Sequence, residues 1–140
     1  PAAVFVDAVF DLRHNGGGDN NTYGPLLTFL QSEEVNQAGR LYVITGRNTF
    51  SAAANFAVEL ERSTRATIVG EATGGSPNLY ADTRTATLPN SKIEVWVSAH
   101  YVQKSAADDT RLTIDPGRPA PLSSADWFAG RDPALAAALR

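Results

Sequence analysis

Ser51 stands where an apolar run, LYVIT, and a short polar turn give way to the alanine-rich segment SAAANFAVELERS. A serine at such a strand-to-helix junction projects its hydroxyl from a sharp turn among helix N-terminal amides, the setting of a nucleophile. It is also the setting of an ordinary helix cap, and position alone does not separate the two. A second cluster, Gly16, Gly17 and Gly18, follows an earlier apolar run. Residues without Cβ let backbone N–H groups point at a developing oxyanion. A phosphate cradle or a plain turn competes with that reading, but the Walker pattern and the spaced glycines of a dinucleotide loop are absent.

A serine nucleophile needs a base, and the chain has two histidines, His14 and His100. His14 adjoins the glycine cluster and His100 ends a β run, so neither is an evident partner. Glu71, Asp108 and Asp109 are carboxylates that could orient a base or simply be solvated. Arg13 and Asp11 read as an ion pair that fixes the glycine loop. With no Cys and two well-separated His, no metal site is expected, and no cofactor is required.

These residues sit in a chain of 140 residues, the size of one compact domain, so 1–140 is read as a single unit. Its 43% hydrophobic and 19% charged content is that of a folded domain, not a disordered or collagenous one. A formal charge of -3 is a poor match for a phosphate backbone, so nucleic acid is not an expected partner. No stretch approaches a membrane span, and the first residues, with Asp7 and Asp11, do not read as a signal peptide. The absence of Met implies a processed chain or part of a longer one. Zero Cys leaves the compartment open, with an extracytoplasmic location the expectation.

The elements that must position the candidates alternate. Ala2–Leu12 reads as a buried strand, and Leu26, Leu27, Leu30 and Val35 recur at helical spacing between a Thr22 cap and a Gly39 stop. Leu41–Thr45 reads as a second strand, a buried helix starts at Ser51, and Thr67–Val69 is a third strand before the loop GEATGGSPN. This alternation predicts an α/β fold with parallel pairing. TRTATL and KIEVWVSAHYV, parted by Pro89, Asn90 and Ser91, predict an antiparallel hairpin. Asp115–Pro119 breaks regular structure. Ser123 or Ser124 caps a turn with Trp127 and Phe128, and Asp132–Pro133 starts a terminal helix.

In that order, DLRHNGGGDN, RNTFSAAANFAVELE and ATIVGEATGGSPN closely resemble the serine peptidases that include the tail-specific or C-terminal processing proteases and the tricorn core, over about Val4 to Pro116. The resemblance implies a ClpP/crotonase-like α/β core with peptide or protein substrates that add a strand to a sheet edge. It makes Ser51 the nucleophile and implies an oxyanion hole from the Ala52 amide and a glycine-loop amide. By motif position that second donor is Gly17, with Gly16 the nearest rival. The C-terminal processing branch takes its base from a Lys that would fall at position 76, which here is Ser76. That departure resembles the tricorn-like branch, whose base is a His from upstream of the glycine-loop strand, joined by an acidic residue that falls near Asp108 or Asp109; Asp109 is the one carried forward.

The expectation is therefore a serine peptidase catalytic domain that acts through an acyl-enzyme on Ser51. Alone it should be nearly inactive, because its base lies in an upstream region of the same protein. A homo-oligomer is a further expected partner arrangement. The alternatives are a non-catalytic small-molecule or peptide-binding domain of the same fold, and an acyl-CoA enzyme of the crotonase type.

Overall fold

The computed structural model describes residues 7–140, so the expected strand over Ala2–Leu12 lies partly outside the described residues. Strand β1 is Ala8–Asp11, β2 is Leu41–Thr45 and β3 is Thr67–Gly70, joined by helices α1 (Gly24–Leu30) and α2 (Ala52–Ser63). The three strands pair in parallel in sequence order, with β1 Phe10 opposite Val43 and β2 Ile44 opposite Val69. Every residue of β2 is buried, as a central strand covered on both faces requires. On one face α2 contributes Phe56, Ala57 and Leu60 to a core with Leu30, Val43 and Ile68. On the other, α4 (Pro133–Ala138) lays Ala134 and Ala138 on Tyr42, Ile44 and Val69. The α/β class, the parallel core and the antiparallel hairpin all match the sequence expectation.

The departures have local causes. Helix α1 is seven residues long and does not reach Val35 or Gly39. Glu33 and Glu34 fall where a continuing C-terminal turn would favour cations, and the chain turns there while still burying Val35. Thr22 does not cap α1: its hydroxyl donates to Asp19 O at 2.7 Å, and Tyr23 holds the cap position. The Pro-rich stretch also yields a fourth parallel strand, β6 (Arg118–Pro119), beside β3. Its Pro is tolerable on a two-residue edge strand. Helix α3 (Ser124–Phe128) is capped by Ser123, which accepts from the Asp126 amide at 3.1 Å.

The hairpin is longer than its alternation suggested, with β4 at Asn78–Thr87 and β5 at Glu94–Gln103. Its base is fastened by Asn78, whose Oδ1 accepts from Lys104 N and Ser105 N at 3.0 and 2.9 Å, and by Lys104 on Glu59 at 3.0 Å. Beyond that base Tyr80, Trp96 and Val97 are exposed.

Arg13 joins the end of β1 to α4. Its guanidinium donates to both carboxylate oxygens of Asp11 and, at 2.7 and 2.8 Å, to both of Asp132, which also caps α4 by accepting from Leu135 N. The hydrogen bonds from Arg13 hold both carboxyls below the usual Asp range and raise Arg13 further. Carboxylates depressed in the folded state stabilise it above the ordinary Asp pKa, and that contribution is lost as pH falls through their folded values. Asp132→Ala should therefore cost about 1–2 kcal/mol, because it removes both cap and ion pair. Asp132→Asn keeps the cap, should cost less, and should flatten the loss of stability below about pH 4. Urea unfolding across pH 2–7 measures both; an identical acid limb in wild type and Asp132→Asn would show that the pair is not linked to folding.

Candidate active site

The turn between β2 and α2 is tied down from beneath. Thr49, fully buried, donates its hydroxyl to Leu12 O at 2.8 Å and accepts from Gly46 N at 3.0 Å, so one side chain links the ends of β1 and β2. Gly74 presses on the same turn: its amide donates to Thr49 O at 2.9 Å, and a Cβ there would meet Arg47 O at 2.2 Å. Held in this way, the chain enters α2 through Ser51 at φ 52 and ψ -126. A capping residue has extended backbone and gives its oxygen to a first-turn amide. Ser51 has neither, and the helix-cap reading is corrected accordingly. The conformation is sparsely populated for any residue with a Cβ and costs about 1–3 kcal/mol. The amide of Ala52, first in α2, has no acceptor among the described residues.

The glycine loop lies directly against this turn. Asn15 O accepts the Phe50 N–H at 3.2 Å. Gly17, at φ 113, approaches so closely that a Cβ on it would stand 2.6 Å from Ser51 Cβ and 3.1 Å from Ala52 N. Ser51, Ala52 and Gly17 thus converge, as the motif order implied. One contact was not foreseen: the Gly17 N–H donates to Asn15 Oδ1 at 3.0 Å. A short polar side chain two residues before the glycine was the available signal, since Asn closes turns of this kind. Gly16 has open space around its would-be Cβ.

None of the remaining candidates is hydrogen-bonded to Ser51. His14 is exposed beside the loop, and His100 sits on the hairpin with Nδ1 3.3 Å from Asp82 Oδ2. Asp109 is held by Arg111 at 2.9 Å, and hydrogen bonds from Arg111 and Ser105 keep its carboxyl well below the usual range. Arg111 also binds Glu61, ten residues along α2 from Ser51 and so about 15 Å away. Asp109 is therefore not brought next to Ser51. Glu71 binds Arg47 at 3.3 Å, Asp108 is exposed, and the Ser76 hydroxyl is engaged by Asn78 O at 2.7 Å. Among the described residues no cluster of His or carboxylates could hold a metal ion.

The model of peptidase family S41 matches residues 19–116, which is more than half of the sequence. The chain belongs to peptidase family S41. That match contains Ser51, Ala52 and Asp109, while Gly16 and Gly17 precede it. Solved structures share the fold: a candidate peptidase from Parabacteroides merdae is 20% identical with a TM-score of 0.67, over 96% of this chain and 51% of that one. A photosystem II D1 C-terminal processing protease is 21% identical with a TM-score of 0.55, over 83% and 35% of the two chains. A candidate S41 protease from Bacteroides fragilis is 16% identical with a TM-score of 0.59, over 94% and 43%. This S41 chain thus spans about half the length of the first of these and less of the others. No curated protein matches it. Among the described residues no helix is long and apolar enough to cross a membrane.

The close approach makes a contrast within the loop of this S41 chain. Gly17→Ala places a Cβ against Ser51 at a positive φ and should destabilise by about 1–3 kcal/mol. Gly16→Ala meets nothing and should stay within about 0.5 kcal/mol of wild type. Denaturant titration of the two variants decides it, and a costlier Gly16→Ala would mean that contact with Ser51 does not fix the loop.

Proposed function

We propose that this S41 chain carries the nucleophile and oxyanion site of a serine peptidase of the tricorn-like branch. The observation that carries the reading is Ser51 itself: its backbone is strained, and its hydroxyl makes no hydrogen bond to a described residue. Strain of this kind persists only where surrounding structure over-determines it, and it clusters at active sites.

In the proposed reaction Ser51 Oγ attacks the carbonyl carbon of a peptide bond while its proton passes to a base. The carbonyl oxygen, now anionic, accepts from the Ala52 N–H and from the glycine loop. Gly17 is the donor we assign there, with Gly16 its rival; Asn15 Oδ1 must then share the Gly17 N–H with the substrate. Collapse expels the amine, which takes up the proton from the base, and leaves an acyl-enzyme that water hydrolyses. Neither histidine is hydrogen-bonded to Ser51, Lys104 is paired with Glu59, and Lys92 lies in the turn between β4 and β5. We therefore place the base, a His by the tricorn-like resemblance, in a region of the protein outside this sequence, and expect the 140 residues alone to be nearly inactive. Asp109, bound to Arg111, is given no role at the reacting bond.

A binding module of the same fold has one observation in its favour. A cavity of about 700 Å³ lies at the carboxyl ends of β2 and β3 beside α4, between Arg13, Arg47, Glu71 and Trp127, and does not include Ser51. A fluorophosphonate separates the readings. In the full natural chain it should label Ser51, and Ser51→Ala should lose both labelling and peptide hydrolysis with folding intact. Ser51→Gly should be equally inactive but about 1 kcal/mol more stable than Ser51→Ala, because glycine relieves the positive φ. Hydrolysis that survives in Ser51→Ala would refute the nucleophile.

A further inference from the structure

The glycine loop does more than pass Ser51; it runs down the first turns of α2. Asn15 meets Phe50, Gly17 meets Ser51 and Ala52, Asn20 meets Asn55, and the Tyr23 ring stacks on Phe56 with centroids 4.8 Å apart. Between the glycines and Tyr23, the bond from Asn55 Nδ2 to Asn20 Oδ1, at 2.8 Å, is the one side-chain hydrogen bond from loop to helix among the described residues. Asn55 lies one turn below Ser51, with its amide on Ser51 O at 2.9 Å.

Asn55 is also costly where it is. It is 1% exposed, and its Oδ1 has no hydrogen-bond partner among the described residues. A buried acceptor left unpaired costs about 1–3 kcal/mol, which a well-packed apolar side chain would avoid. What the amide supplies is a fixed point for the loop. Three consecutive glycines have the largest backbone freedom to lose, and between them and the Tyr23 stack this bond is the one side-chain hydrogen bond to the helix among the described residues.

We infer that Asn55 is a positioning residue: through Asn20 it clamps the glycine loop over Ser51, so that the loop donor and the Ala52 N–H aim at one point. The inference rests on the proposed nucleophile, and misplacing a donor by about 1 Å can cost up to a hundredfold in rate. Asn20→Ala, in the half-buried loop, leaves the core untouched and carries the test if Asn55→Ala does not fold.

In the full natural chain, Asn20→Ala and Asn55→Ala should each lower kcat at least about tenfold with KM within about twofold, and the double variant should be no worse than either. Asn20→Asp keeps an acceptor for Asn55 Nδ2 and should restore most of the rate. Amide hydrogen exchange over residues 16–19 should rise at least about tenfold in both alanine variants. Unchanged kcat, losses that multiply in the double variant, an Asn20→Asp as slow as Asn20→Ala, or unchanged exchange would each overturn the clamp. If wild type itself does not hydrolyse peptides, the nucleophile reading fails instead, and the exchange measurement still decides the clamp.

Discussion

The structure depends on a single close approach, Gly17 against Ser51, in which two loops at the carboxyl ends of adjacent parallel strands touch without a side chain between them. Both partners are in unusual backbone: Gly17 at φ 113, which favours glycine, and Ser51 at φ 52, which costs any residue with a Cβ. Glycine adopts its conformation readily, but that of Ser51 is not locally favourable. It has to be held from outside, and the rest of the fold is arranged to do so. Thr49 ties the end of β1 to the end of β2, Gly74 admits a third loop to the same turn, and Arg13 fastens β1 to α4.

A parallel sheet suits this because the crossover from β2 to β3 returns through α2, whose N-terminus lies at the carboxyl end of β2. Helix α2 is anchored by eight buried residues, from Ala52 through Val58 and at Leu60. Burying even a few apolar side chains is worth more than the roughly 1–3 kcal/mol stored at Ser51. The strain therefore persists without unfolding the turn. The small residues Ala52, Ala53 and Ala54 let loops approach, as at Gly75, whose would-be Cβ lies 3.1 Å from Ala54 Cβ.

Much of this was legible in the sequence because it is carried by periodicity and by glycine. The central strand Leu41–Thr45, the helix after Ser51 and the strand from Thr67 have buried patterns that no other element matches. Ser51 and the triple glycine stood out for the same reason. What was not legible depends on contacts distant in the chain. Two-residue β6 has too little sequence to show a period and exists only because β3 offers an edge. Thr49 and Thr73 read as turn residues, yet their hydroxyls are buried links to Leu12 and Ile114. Asp109 looked available for catalysis, but its carboxylate is engaged by Arg111, which also binds Glu61. Whether Ser51 caps its helix turned on a backbone angle and a missing side-chain hydrogen bond, which residue type alone does not fix.

The asymmetry between the two sides of the site is itself physical. The serine side is rigid: it sits on a twelve-residue helix packed into the larger core. The glycine side has no such support, since its residues bring almost no side chains to bury. A loop of this kind keeps its position through a few contacts, here the hydrogen bonds of Asn15 O at one end and Asn20 at the other, with the Tyr23 ring stacked on Phe56 beyond it. Polar contacts of about 1 kcal/mol each can be made and broken during a reaction, whereas a packed core cannot. The proposed reaction would use that difference: Ser51 stays still on its helix, while the Gly17 N–H exchanges its internal acceptor, Asn15 Oδ1, for the oxygen of a substrate.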